Sequence, residues 1–451
     1  MKFPLAIASK IQRKQIDDSA GAAGAAGQNP LHRLVRQLRT RRKGLGVIAL
    51  AAGIVAGSLL TVFSMSSLTS SPTSSAALVV TPPRPPRANF GTAPQLHVVG
   101  NKLVSADGQQ VVLHGVDRSG TEYKCVQDSG IFDGPSNAAS VDAMKTVGVN
   151  AVRVPLNEAC WNGDSYVNPA YSGAKYQAAI KSYVKLLNAN GMAVILDLHW
   201  TNGVYTGPAS ACSSAEATCQ KPMPDAAEAV PFWTSVASTF KGNDSVIFDL
   251  FNEPYPEQAD HGNLAEGWQC WLKGGNCAGI SYPVAGMQTM VNAVRSTGAT
   301  NVLMLGGLTW SNDLDGWLSH EPVDPDHNLA ASWHSYNFNA CSTEACWTSQ
   351  IAPLIAKVPL IAGEIGENNC ADNYISSLTS WLNSKDASYL AWAWNTDFNC
   401  YSGPGLINNY DGAPTAYGAG YESDLHSIES DLHSIAHSIA HRIAHRLGHG
   451  L

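Results

Sequence analysis

Eight apolar, strand-like runs separated by helical patterns between Gln95 and Tyr421 predict an α/β fold, a (β/α)8 TIM barrel. An N-terminal membrane segment and a short helical C-terminal tail flank it. Two further observations favour the barrel over a doubly wound sheet. The runs are apolar along most of their length, which suits parallel strands covered on both faces, and polar residues gather at their C-terminal ends, where such barrels carry their chemistry.

Taken in order, residues 1–43 hold ten Lys and Arg against only Asp17 and Asp18, and read as a basic cytoplasmic segment. Gly44 to Phe63 is uncharged and long enough to span a bilayer at about 1.5 Å per residue. Arg41, Arg42 and Lys43 precede it and no comparable cluster follows, so the rest of the chain is expected outside the cell. Retained anchor and cleaved signal both remain open. The long basic stretch favours the anchor, whereas Thr40-Arg41-Arg42 resembles a twin-arginine signal and Ser74-Ser75-Ala76 offers small residues for cleavage. Residues 64–95 are rich in Ser, Thr and Pro, with Thr81-Pro82-Pro83-Arg84-Pro85-Pro86, and read as an extended linker.

The barrel domain is expected over 96–428. Val99 to Val112, with Gly100-Asn101 and Asp107-Gly108, reads as a hairpin that plugs the barrel's N-terminal end. Strands are expected near Val111–Val116, Ala151–Pro155, Met192–Leu198, Val246–Phe251, Val302–Gly306, Ala330–Trp333, Pro359–Gly363 and Tyr389–Trp394. The intervening stretches are mostly long enough for crossover helices. Lys175 to Asn190 is one, with Ile180, Tyr183, Val184 and Leu187 on one face and Gly191 as its stop. Tyr282 to Ser296 is another, with Val284, Met287, Val291 and Val294. Residues 429–451 form a His-rich low-complexity tail. There E-S-D-L-H-S-I at Glu422–Ile428 recurs at Glu429–Ile435, and His433, His437, His441 and His445 follow at four-residue spacing. Imidazoles at that spacing can bind transition metals, but no carboxylate or cysteine joins them to specify one, so no metal is expected.

Net charge is −8, and Leu96 to Tyr421 alone carries 14 Lys and Arg against 30 Asp and Glu, a balance of −16. An acidic body argues against nucleic acid or anionic lipid as its ligand and fits a neutral polymer. All ten cysteines lie between Cys125 and Cys400, and no C-x-x-C pair occurs. The spacings suggest neighbouring disulfides, Cys125 with Cys160, Cys212 with Cys219, Cys270 with Cys277, Cys341 with Cys346 and Cys370 with Cys400, although spacing does not fix connectivity.

Polar residues cluster where the strands end. Arg153 closes the second strand, His199 the third, Asn252 and Glu253 the fourth, and Glu364 the seventh. His334 and Tyr336 follow the sixth, and Trp392 and Trp394 sit on the eighth. One carboxylate at each of two strand ends meets the need of glycoside cleavage for a carboxylic acid facing a carboxylate. The motifs V-R-V-P at Val152–Pro155, L-D-L-H at Leu196–His199, F-N-E-P at Phe251–Pro254, W-H-S-Y at Trp333–Tyr336, G-E-I-G at Gly363–Gly366 and W-A-W-N at Trp392–Asn395 together resemble glycoside hydrolase family 5, the cellulase-like family.

The resemblance implies double displacement with retention, Glu364 as nucleophile and Glu253 as acid/base. It implies that Arg153 and Tyr336 hydrogen-bond Glu364, that Asn252 binds the sugar's 2-hydroxyl, and that His199 and His334 orient these groups. Trp394 is expected as the aromatic floor under the sugar, with Trp392 left open. Trp161, Trp200, Trp233, Trp268 and Trp310 stand near strand ends and extend the cleft unless they serve the core. The expected ligand is a β-linked polysaccharide or oligosaccharide, β-1,4-glucan first, with β-mannan, β-1,3-glucan and xyloglucan open. No cofactor is expected, and a monomer is the default. A catalytically silent, membrane-tethered carbohydrate binder is the rival reading; loss of either glutamate would signal it, and both are present.

Overall fold

The computed structural model describes residues 92–428. The basic segment, the apolar run Gly44 to Phe63, the linker up to residue 91 and the tail 429–451 lie outside the described residues. Among the described residues no helix is long and apolar enough to cross a membrane.

Eight parallel strands close into a barrel: His114–Asp117, Ala151–Asn157, Ala193–Trp200, Val246–Asp249, Leu303–Gly306, Leu329–Tyr336, Leu360–Gly366 and Ser388–Ala391. Each pairs with the next, and the eighth returns to the first through Tyr389 opposite His114. Closure leaves no free sheet edge. The second and third strands are buried on both faces along nearly their whole length, which is why they read as unbroken apolar runs.

The interior is filled in layers set by the two-residue period of each strand. At the N-terminal end Ala151, Ala193, Ile195, Ile247, Met304, Ala330, Ile361 and Leu390 pack together, and Leu96 and Leu103 close the cluster from below. Those two leucines belong to a hairpin, Leu96–Val99 paired antiparallel with Lys102–Ser105, which turns at Gly100-Asn101 and so begins and ends earlier than the Val99–Val112 expected. One layer higher the inward positions turn polar, and the functional chemistry starts there.

The helices follow their apolar faces. Ala174–Ala189 buries Tyr176, Ile180, Tyr183, Val184 and Leu187, and Asn137 caps Ala138–Thr146 by accepting from the Ser140 N–H at 3.1 Å. Two expectations need correction. The helix proposed from Tyr282 begins at Met287, because Val284–Ala285 pairs as a short strand with Gly274–Gly275. Between the fifth and sixth strands only Leu308–Ser311 is helical, and Thr309 and Trp310 inside it depart from helical backbone, so that unit lacks a full crossover helix. The last helix covers residues 416–428 and takes in the first copy of the E-S-D-L-H-S-I repeat. Leu425 is buried there, and Asp424 accepts from Ser376 and Thr379 at 3.1 and 3.0 Å.

All ten cysteines are paired, in the neighbouring pattern expected. Cys125–Cys160 joins the segments after the first and second strands, and Cys370–Cys400 those after the seventh and eighth. Both fasten loops on the C-terminal rim.

Candidate active site

Arg153 organises the polar layer. Its side chain is fully buried in the barrel interior, and its guanidinium donates four hydrogen bonds and meets a fifth partner, Asp197, as an ion pair. Nη1 reaches Glu364 Oε1 at 2.8 Å and Asp117 Oδ1 at 3.0 Å, Nε reaches Asp249 Oδ2 at 3.0 Å, and Nη2 reaches Asn252 Oδ1 at 2.7 Å and Asp197 Oδ2 at 3.1 Å. Strand register explains the convergence, since Asp117 lies opposite Arg153 and Asp197 opposite Asp249. Burial pushes Asp117 and Asp249 well above the usual carboxylate range, and Asp197 up to about 7, against the pull of Arg153. Carboxyls that keep their protons leave more of the guanidinium's charge for Glu364.

Glu364 owes its position to a bulge. The ladder between the sixth and seventh strands pairs Trp333 with Ala362 and then His334 with Glu364, so Gly363 has no opposite number. Strict alternation after inward Ile361 would turn residue 364 outward; the extra residue turns it in. Glycine suits the position, because a Cβ on Gly363 would stand 2.6 Å from Met304 Cε, 3.0 Å from Ser332 Oγ and 3.2 Å from His334 Nε2, so a larger residue would oblige these side chains to shift. Both Glu364 oxygens are then held by donors, Oε1 by Arg153 and Oε2 by the Tyr336 hydroxyl at 2.5 Å. Burial, then the Glu364 charge, raises the Tyr336 phenol well above its ordinary value and keeps it a donor.

Glu253 stands beyond the end of the fourth strand, whose ladder stops at Asp249. The Leu250 N–H donates to Met304 O, and the Asn252 N–H to Leu198 O, which hold the segment extended between its neighbours. Glu253 Oε1 shares a 3.0 Å hydrogen bond with His334 Nδ1, which also lies 3.7 Å from Glu364 Oε2. One oxygen of each glutamate and one nitrogen of His334 all lie within 4.8 Å of one another. Glu253 keeps 18% of its side chain exposed against 5% for Glu364, so one carboxyl faces the cleft and the other its floor. Burial, and then the facing Glu364, holds the Glu253 carboxyl well above the usual range. Burial lowers His334 well below its ordinary value and His199 to about 4, so both imidazoles are neutral. His199 Nδ1 lies 2.6 Å from Asp197 Oδ2, two residues back on the same strand face.

Arg153, His199, Asn252, Glu253, His334, Tyr336 and Glu364 thus converge at one end of the barrel. Trp394 does not join them. It is 2% exposed and packs in the apolar core, where a Cβ on Gly412 would come within 3.5 Å of its ring edge. The half-buried ring is Trp392, stacked on His199 with centroids 5.6 Å apart and planes 16° from parallel. The expectation failed because it extended strand alternation past the ladder's end at Ala391. The Trp392 N–H donates to Ile365 O of the seventh strand, whereas the Trp394 N–H donates to Asp117 O of the first, as the chain crosses the rim. Of the other tryptophans, Trp161, Trp233 and Trp268 are buried. Trp200 and Trp310 are half-buried beside Tyr123 and Tyr255.

Asp117, Asp197, Asp249 and Gln220 join the site without being among the residues expected from sequence. The three aspartates carried a signal, an acidic residue near the end of an apolar strand on three strands. Gln220 carried none.

The family model of Cellulase (glycosyl hydrolase family 5) matches residues 104–398. Endoglucanase A of Butyrivibrio fibrisolvens is 25% identical over 243 residues, 54% of this chain and 45% of that protein. A mannan endo-1,4-β-mannosidase of Cellvibrio japonicus is 23% identical over 331 residues, 71% of this chain and 64% of that protein. The chain therefore spans less than two thirds of the length of either relative. Among solved structures, β-glucanase SdGluc5_26A of Saccharophagus degradans superposes with a TM-score of 0.56 at 18% identity, covering 75% of this chain and 95% of that one. That β-glucanase has also been solved in complex with cellotetraose.

Proposed function

Because the chain belongs to glycosyl hydrolase family 5, we propose that it hydrolyses β-glycosidic bonds with retention of configuration, as an endo-β-1,4-glucanase. The observation that carries the chemistry is the approach of Glu253 and Glu364 to within 4.8 Å, oxygen to oxygen. Retaining enzymes hold their carboxyl groups about 5 to 5.5 Å apart, whereas inverting ones leave about 6.5 to 9.5 Å for a water.

In the first step a Glu364 oxygen forms a bond to the anomeric carbon as the glycosidic bond breaks, and the Glu253 proton passes to the leaving oxygen. Arg153 and Tyr336 fix the attacking carboxylate. The high proton affinity of Glu253 suits a group that must start protonated, and its second-largest cause is the charge of Glu364. Esterification of Glu364 removes that charge, so Glu253 becomes able to take a proton from the incoming water. Water then displaces Glu364 and restores both groups. Asn252 donates to the sugar's 2-hydroxyl, where contacts strengthen in the transition state. His334 and His199 orient Glu253 and the sugar as neutral groups, and Trp392 takes the platform role assigned from sequence to Trp394.

β-Mannan is the second reading, favoured by the Cellvibrio japonicus relative, whose match takes in more of this chain than that of Endoglucanase A. Release of reducing ends from carboxymethyl cellulose, against galactomannan and laminarin, decides between them. Faster release from galactomannan would replace the glucanase assignment and leave the retaining mechanism intact. Five disulfides fit an extracellular site of action.

A further inference from the structure

The loop between the third strand and helix Ala229–Phe240 brings one more side chain to the site. Gln220 Oε1 accepts from Asn252 Nδ2 at 3.1 Å, and Gln220 Nε2 donates to the main-chain oxygen of Glu253 at 3.1 Å and to that of Lys221 at 3.1 Å. On its other side the Asn252 amide meets Arg153 Nη2 at 2.7 Å, a group that can only donate. Together these contacts fix the amide's orientation. A flipped Asn252 would set its NH2 against the guanidinium and its oxygen against the oxygen of Gln220. The NH2 therefore points away from Arg153, with one hydrogen committed to Gln220 and the other free for a ligand.

The main chain around Gln220 is fastened as well. Tyr255 Oη donates to Gln220 O at 3.3 Å, and the Tyr255 N–H donates to Pro222 O at 3.0 Å. Cys219 is bonded to Cys212, and the buried Lys221 ammonium reaches Ser214 O across that small ring at 2.6 Å. A side chain carried on a loop of 28 residues between strand and helix is thus held from both flanks.

We propose that Gln220 is a positioning residue, which orients Asn252 so that its free N–H faces the sugar hydroxyl beside the cleavage point. The proposal rests on the hydrolase reading of the site. Because the contact to the sugar strengthens in the transition state, loss of Gln220 should lower kcat and kcat/KM together and leave KM nearly unchanged.

The test is a double-mutant cycle on the full chain with Gln220→Met, which fills a similar volume but offers only a weakly accepting thioether and no donor, Asn252→Ala, and both together. The substrate is whichever of carboxymethyl cellulose, galactomannan and laminarin the unmodified chain cleaves fastest. Gln220→Met is expected to lower kcat about tenfold alone and less than about twofold in the Asn252→Ala background. Gln220→Ser, which admits water into the space, should give the same pattern. Equal losses in both backgrounds, a rise in KM alone, or no loss at all would overturn the proposal while leaving the hydrolase reading standing. An unmodified chain that cleaves none of the three polymers removes the hydrolase reading and this proposal with it.

Discussion

Glu253 and Glu364 carry the same functional group in two environments, and the difference divides their labour. Glu253 is expected to set the alkaline limb of activity: its carboxyl, raised by burial and by Glu364, supplies a proton only below its own pKa. Glu253→Gln should therefore abolish that limb and slow hydrolysis of the polymer about 10²- to 10⁴-fold. A dinitrophenyl glycoside, whose leaving group needs no proton, should keep most of its first-step rate in a stopped-flow measurement. The two tryptophans separate in the same way. Trp392→Ala should cut turnover with little change in melting temperature, whereas Trp394→Ala should cost about 3 to 5 kcal/mol of stability, because it empties a core site. Thermal melts beside rate measurements check both, and a stable, inactive Trp394→Ala would reverse the assignment. The seven polar residues could be grouped from sequence because each strand end in a barrel points to one rim. Sequence misplaces the tryptophan because alternation holds only while the ladder lasts.

At the scale of elements, the bulge at Gly363 is the device that delivers Glu364. Gly363→Ala is expected to cost about 1 to 3 kcal/mol through the contacts its methyl would force on Met304, Ser332 and His334. Activity should fall further than the folded fraction does, since the shift lands on the histidine that touches Glu253. Loss of activity that only tracked unfolding, measured well below the melting temperature, would detach the bulge from catalysis. P-L-I-A-G-E-I-G advertised a strand and a carboxylate, but nothing in it announced a skipped residue, because a bulge is a property of two strands together. The fifth crossover shows the same limit. Leu308 to Asn328 is long enough for a helix, yet its start is tied down instead by the Trp310 N–H to Pro254 O and the Leu308–Asp313 pairing. Gln220 lay in a loop without periodicity, where only the fold reveals its neighbours.

For the whole molecule, the barrel brings an acidic set around one buried guanidinium, and this shapes stability as well as chemistry. Asp197, held at about 7 in the fold against about 3.9 in an open chain, binds a proton that the unfolded state has released between those values. Its contribution is complete below the lower value and declines as pH rises towards 7. Glu257, also raised by burial to about 7, acts in the same direction. Melting temperature should accordingly fall between about pH 4 and pH 7, and Asp197→Asn should flatten part of that slope in scanning calorimetry. A slope unchanged by the substitution would show that Asp197 is ionised in the fold. The most direct test of the account concerns the nucleophile. Glu364→Ala, assayed with and without azide on an aryl β-glycoside, should be nearly inactive alone and regain turnover with azide, giving the α-glycosyl azide because the small anion attacks the vacated face. No rescue, or rescue that yields only the β-glycosyl azide, would contradict the assignment of Glu364 as the attacking group.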